Sequence, residues 1–360
     1  MKKVLTGIAL CTITLITILY GRISEEIIDE INMVAAVGFD RAEGQKIKGT
    51  AVIPVFKADK SIDNASFTGE SVLAKEIINV LQKKSADPLV TGAVRVVLYE
   101  DELAKNGILR YIDALQRDAS IGSKINLAII EGKTNEVLEK SLGNRGTGEY
   151  LSIMLQHNIE KRDLPRSDLH TFMYRHYMDG MDPFLPTMKL LSNKMEITGL
   201  GMFKHGKMVA KIDEPDLFFF KAMVEDYGEG SYTIRLKGTD EYASIRRIKS
   251  KRKIKVEEVD GEPKVNITIK FEGVLSEFSG QTTNPKTIQT IDEELENTIK
   301  EKSEAMLKDF QEKNIDPVGI GYMARHSTRG LDFKKWELNY PNIKIEVHSE
   351  VTITETGITQ

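Results

Sequence analysis

The chemistry that stands out along this chain is cationic. Arg246-Arg247-Ile248-Lys249-Ser250-Lys251-Arg252-Lys253-Ile254-Lys255 holds seven cations in ten residues. Beside a membrane, such residues gain up to about 1 kcal/mol each from anionic headgroups. On an exposed strand, the same charges keep a second chain from pairing with the edge. Both readings fit, and they make Arg246, Arg247, Lys249, Lys251, Arg252 and Lys253 candidate membrane or partner contacts. Glu257, Glu258, Asp260 and Glu262 follow closely and would neutralise part of the run.

Patterns for covalent or metal chemistry are weak by comparison. No Gly-x-Ser-x-Gly occurs, and Gly230-Ser231 lacks its flanks, so that serine reads as part of a polar turn. His170 and His176, six apart, would point about 240° apart on a helix, which is no metal spacing. Gly143-Asn144-Arg145-Gly146-Thr147-Gly148 resembles a phosphate-cradling nest, but no lysine and hydroxyl follow, and it reads as a helix-entry turn. Asp316-Pro317 with Gly319-Ile320-Gly321 reads as the end of a long helix, the glycines letting the chain re-enter a sheet closely. No catalytic residue, metal or cofactor is assigned.

The elements that must carry these residues alternate. Asn32–Asp40 and Ile47–Val55 flank a polar turn and predict a hairpin. Val72, Leu73, Ile77, Val80 and Leu81 predict a helix that ends by Asp87-Pro88. Strands follow at Val94–Tyr99 and Ile125–Ile130, with helices around Leu109–Leu115, Asn135–Leu142 and Tyr150–Ile159. Asp182-Pro183-Phe184-Leu185-Pro186 breaks the pattern and predicts a link between domains. Beyond it come a strand pair over Met195–Ile212, a helix over Pro215–Val224 and strands at Tyr232–Leu236, Tyr242–Val259 and Lys264–Phe271. A long helix is expected over Thr287–Glu312, then short strands near Ile343–Val347 and Val351–Ile353. Phe218-Phe219-Phe220 cannot all face one core from a single helix, so one of them is expected at a domain or partner interface. The grammar is α+β, with mixed sheets and packed helices in more than one domain.

Three blocks together resemble the Ger(x)C family, the C subunits of the germinant receptors of endospore-forming bacteria. The first is Val94–Ile108 with Leu115-Gln116-Arg117-Asp118. The second is Ile197-Thr198-Gly199-Leu200-Gly201-Met202-Phe203-Lys204-His205-Gly206-Lys207-Met208-Val209. The third runs from Asp316-Pro317-Val318-Gly319-Ile320-Gly321 through Arg325, Trp336 and Val347 to Val351–Gly357. The resemblance implies a three-domain α+β ectodomain working beside A- and B-type integral-membrane subunits in the spore inner membrane. The expected divisions are 1–22 as a membrane segment, 23–190, 191–262 and 263–360.

The amino terminus fits that setting with one departure. Lys2 and Lys3 precede an uncharged stretch, Val4 to Tyr20, in which nine of seventeen residues are Val, Ile or Leu. As a helix it would rise about 26 Å, close to the roughly 30 Å apolar core of a bilayer. The basic start predicts a cytoplasmic amino terminus, with the rest of the chain on the outer face. Leu19-Tyr20-Gly21 is a poor cleavage site. Arg22 stands where the family's lipidated cysteine would be, so the segment is expected to anchor by spanning rather than by lipid. Cys11 is the only cysteine, which excludes a disulfide framework beyond it. The net charge of -4 argues against a nucleic-acid partner. An extracytoplasmic solute-binding protein is the alternative, and it would need two similar lobes that no internal duplication supplies.

Overall fold

The computed structural model describes residues 30–259 and 262–355, together with Thr12 and Thr14. Apart from those two threonines, the expected membrane segment, with Arg22, lies outside the described residues. Among the residues described, no helix is long and apolar enough to cross a membrane.

The first half of the chain runs β1 (Asn32–Met33), β2 (Ala36–Arg41), β3 (Ile47–Phe56), β4 (Ile62–Ser71), α1 (Glu76–Gln82), β5 (Leu89–Val90), β6 (Val96–Glu100), α2 (Asp101–Asn106) and α3 (Leu109–Gln116). It continues with β7 (Asn126–Ile130), α4 (Thr134–Leu138), α5 (Thr147–Lys161), α6 (Leu169–Tyr177), β8 (Phe184–Leu191), β9 (Lys194–Lys204) and β10 (Lys207–Asp213). Eight of these strands form one sheet in the order β10-β9-β8-β7-β6-β2-β3-β4. Its centre, β8-β7-β6-β2, is parallel. Parallel strands are covered on both faces, which is why Val96–Glu100 is buried throughout. Phe39, Val97, Tyr99 and Leu127 face one core, while Ala36, Val96, Leu98 and Ala128 face the other.

Two expectations fail here. Helix α1 begins only at Glu76, and Val72 and Leu73 are 49% and 63% exposed ahead of it; strand β4 occupies residues where no strand was expected. The Asp182–Pro186 stretch is no linker, because Phe184 opens β8 in the interior of the sheet. Pro186 is tolerated there since pairing with β7 starts only at Thr187, so no ladder hydrogen bond is lost on that side.

The second half holds α7 (Leu217–Val224), β11 (Ser231–Arg235), β12 (Tyr242–Val259), β13 (Glu262–Phe278), α8 (Pro285–Glu312), α9 (Ile320–Ser327), α10 (Phe333–Asn339) and β14 (Lys344–Glu355). Its sheet has the order β11-β12-β13-β14. β13 and β14 are parallel, so a crossover must join them, and α8 is the main part of it. The two short strands expected near 343–353 are one strand, β14. Val265, Ile267, Ile269, Val347 and Val351 face α8, while alternate residues face outward. The suggested divisions at 190/191 and 262/263 fall inside strands, near the end of β8 and at the start of β13.

Helix α7 sits between the two sheets and is buried on every side. Phe218 stacks on Tyr232 and Phe271 with ring centres 4.6 and 5.5 Å apart. Phe220 meets Phe184 of the first sheet at 5.2 Å and Phe310 of α8 at 6.0 Å. Phe220 is thus the phenylalanine at the junction. The next residue, Lys221, donates to the Ile159 and Arg162 carbonyls, both at 2.7 Å, closing the carboxyl end of α5. Burial holds its pKa down.

Candidate functional site

Two Asp-Pro dipeptides meet where the sheets join. Asp182 donates its backbone N–H to the Asp316 carbonyl at 2.8 Å, and Asp316 returns its own N–H to Asp182 Oδ2 at 2.8 Å. The Asp182 carboxylate also takes Lys204 Nζ at 3.0 Å. Asp316 Oδ1 accepts from the N–H groups of Gly319 and Ile320 at 2.8 and 3.0 Å, and Oδ2 from Gly321 at 2.7 Å. These are donors of the first turn of α9, which have no partner inside the helix. The glycines therefore start a helix rather than return the chain to the sheet. Gly319 enters it with φ 82°, in the left-handed region.

Burial raises the Asp316 carboxyl to about 6, and the nearby Asp182 charge pushes the same way, against the three N–H groups. Arg175, in the last turn of α6, donates to the Pro317 carbonyl at 2.8 Å and lies 4.5 Å over the Phe184 ring. Burial and then repulsion from Arg252 bring its pKa down to about 10. At Gly180 the backbones touch. Its carbonyl accepts the Tyr322 N–H at 2.8 Å, and a Cβ there would fall 2.4 Å from the Gly321 backbone.

A cleft of about 600 Å³ opens beside this clamp, lined by His176, Lys204, His205, Trp336, Leu338 and Tyr340 among others. Burial, then the His205 charge, lowers the His176 pKa. Tyr340 Oη is buried and finds no hydrogen-bond partner among the described residues. All three sequence blocks converge on this region. The Ile108 N–H reaches the Gly206 carbonyl at 2.9 Å, tying the first to the second, and Lys204 ties the second to Asp182 and so to the third. Arg325 bonds Asp179 and lies 5.3 Å over the Phe333 ring. Such an arrangement fixes two units in register. Its carboxylates are engaged by backbone N–H groups and an ion pair, and among the described residues no three metal-binding side chains gather.

The basic run divides by face. Strand β12 carries a bulge between Arg246 and Lys249, with Arg247 at φ 53°. Beyond it Lys249, Lys251, Lys253 and Lys255 are exposed and point outward, while Ile248, Ser250 and Ile254 are buried. Arg252 falls on the inner face, where burial lowers its pKa. It does not belong with the other candidate contacts. The strand is an edge only in part. Arg246 pairs with Ser231 of β11, and the N–H groups of Ile248, Ser250 and Arg252 are taken by Gly230, Tyr227 and Asp226.

Two family models match almost end to end along the chain. One, the spore germination protein N-terminal domain, matches residues 24–190, and the other, spore germination B3/GerAC like, C-terminal, matches 198–357. The chain belongs to the Ger(x)C family of spore germination proteins. Among its relatives, the spore germination protein GerQC of Bacillus cereus is 28% identical over 346 residues, 95% of this chain and 96% of its own length. The putative spore germination protein YfkR of Bacillus subtilis (strain 168) is 22% identical over 314 residues, 82% of this chain and 79% of its own. The crystal structure of the GerBC protein shares the fold with a TM-score of 0.54 at 16% identity, covering 88% of this chain and 96% of that one. The Ger(x)C models divide within 191–197, across the β8–β9 hairpin, although the two strands pair in one sheet.

Within the Ger(x)C chain, sequence reasoning picked out Asp316, Gly319, Gly321, Arg325 and Trp336, read Asp182 only as part of a link between domains, and passed over Arg175 and Gly180. The available signal was weak, because the Asp-Pro dipeptide at 182–183 and 316–317 also occurs at 87–88. His170 is exposed and His176 half-buried. The Gly143–Gly148 turn does enter α5, Thr147 donating its N–H to Asn64 Oδ1 at 3.1 Å.

Proposed function

We propose that this Ger(x)C chain is a non-enzymatic subunit of a spore germinant receptor, held at the spore inner membrane by its N-terminal segment. Its folded part lies on the outer face and works with the A- and B-type integral-membrane subunits in nutrient-triggered germination. The observation that carries this reading is the family match from residue 24 to 357, preceded by the apolar run Val4–Tyr20. The solute-binding alternative is not favoured, because an eight-stranded mixed sheet and a four-stranded one are not two similar lobes.

Anchoring is tested with the full chain and an Arg22→Cys variant expressed in the spore-forming host. The wild type should resist alkaline extraction and take up no lipid label, while the variant should be labelled. Release of the wild type as a shortened soluble chain would sink the anchor. The receptor role predicts that spores lacking the gene and its paralogues lose the response to at least one nutrient. Normal germination with every nutrient tried would count against it.

A further inference from the structure

Among the described residues the four-stranded sheet is covered on one face only. Helices α7, α8 and α9 pack against its apolar side, and no described element lies over the other side of β12, β13 and β14. The outward positions are Lys249, Lys251, Lys253, Lys255 and Glu257 on β12, with Lys264, Asn266, Thr268, Lys270 and Glu272 on β13. On β14 they are Lys344, Glu346, His348, Glu350, Thr352 and Thr354.

Charge is graded across this face. Toward β14 the lysines are matched: Lys264 and Lys344 both bond Glu346, and Lys270 bonds Glu350. Among the described residues, Lys255 alone of the β12 lysines has a carboxylate partner, Glu257 at 3.8 Å. Among the described residues Lys249, Lys251 and Lys253 form no ion pair, and neither do Arg246 and Arg247 beside the bulge. Opposite them on β13 stand Glu272, Lys270 and Thr268, and Lys270 is already engaged. The acidic residues that follow the run in sequence thus leave its centre unneutralised.

The chemistry of the face indicates its partner. Protein interfaces bind through apolar and aromatic anchors at a desolvated centre, and lysine is depleted there. The middle of this face has no such anchor, only lysine, threonine, asparagine, glutamate and the exposed His348. Flexible, hydrated ammonium groups on a flat surface instead suit a diffuse layer of negative charge. We propose that the β12 side of this face rests on an anionic bilayer surface, with Lys249, Lys251 and Lys253 as its contacts. The proposal rests on the membrane location proposed above and adds an orientation to it.

The test uses the full chain with vesicles of phosphatidylcholine, alone or with about one third phosphatidylglycerol, and reads amine acylation lysine by lysine. Labelling of Lys249, Lys251 and Lys253 should fall about fivefold each on the anionic vesicles, the factor expected for one surface lysine near such lipids. About 1 M salt should restore it. Lys83 and Lys124, exposed in the half of the molecule that holds the eight-stranded sheet, should not change. In the triple variant Lys249→Gln, Lys251→Gln, Lys253→Gln, protection of Lys255 should be lost. Equal labelling on both vesicles overturns the proposal. So does protection that appears only when the other receptor subunits are present, which would make the face a protein contact. Flotation separates this from the anchor. A chain that floats with both lipids but shows no lysine protection keeps the anchor and loses the face. One that floats only with anionic lipid, and is released by salt, does the reverse.

Discussion

Asp40 and Asp316 are buried carboxylates that hold helix starts. Asp40 Oδ1 accepts the Thr134 N–H at 2.7 Å, and Oδ2 accepts the Thr134 hydroxyl at 2.8 Å and the Asn135 N–H at 3.1 Å, so a strand residue secures α4. Burial raises the pKa of both carboxyls. At Asp316, about 6 in the folded state against an ordinary 3.8, the consequence has a definite sign. The folded state holds the proton more tightly, so ionisation of this group costs stability above about pH 6, and that cost is relieved as pH falls toward about 4. The effect is at most about 3 kcal/mol. Asp316→Asn cannot titrate and leaves at least one of the three N–H groups poorly paired, a loss of about 1–3 kcal/mol. Denaturant melts at about pH 7 and pH 5 should show the wild type gaining on the variant at the lower pH. A constant difference would rule out the titration of Asp316 as the cause.

Helix α8 shows how an element legible in sequence acquires a task that is not. Its apolar stripe, Ile291, Leu295, Ile299, Met306 and Phe310, predicts the helix within two residues of its observed start. Asn284 supplies the cap, accepting the Thr287 N–H at 3.0 Å, and Pro285 suits the first turn. The carboxylates Asp292, Glu296 and Glu304 look like a solvent face. In the fold they line the free edge of β14 and accept the N–H groups of Ile353, Val351 and Val347 at 3.0, 2.8 and 3.3 Å. Four helical residues rise about 6 Å and two strand residues span about 6.6 Å, so the two ladders stay nearly in step. Lys300 interrupts the row, and there Ser349 bonds the Glu296 carbonyl through its hydroxyl at 2.7 Å. Glu296→Ala should cost about 1–2 kcal/mol and speed hydrogen exchange at Val351. Unchanged exchange at Val351 would show that the edge is protected by something else. The register that creates this match comes from a strand paired to β13 on its other side, and no local pattern in α8 contains it.

Over the whole molecule, one hydrophobic core runs from the eight-stranded sheet through α7 into the four-stranded sheet. Phe220 is its bridge, and removing a buried phenylalanine side chain costs about 3–5 kcal/mol. Calorimetry should find one unfolding transition for the described fold and, in Phe220→Ala, a lower midpoint with the two sheets melting apart. A single transition at an unchanged midpoint would mean the junction does not depend on this ring. Strands and helices were legible because periods of two and 3.6 are local, and the family was legible because its blocks are short and ordered. The Asp182–Pro186 break was misread for the same reason, since two prolines look like a linker until the neighbouring strand is known. Local pattern also showed that the chain carries seven clustered cations. Their division was settled by the bulge in β12, which shifts the alternation by one and turns Arg252 inward while the lysines face out. Likewise, burying Phe218, Phe219 and Phe220 together needs a sheet on each side of one helix. The order of residues alone determined most of the elements, the charge and the family. Only tertiary structure decided which faces meet, because those contacts join residues far apart in the chain, 134 positions at Asp182 and Asp316, where no local period reaches.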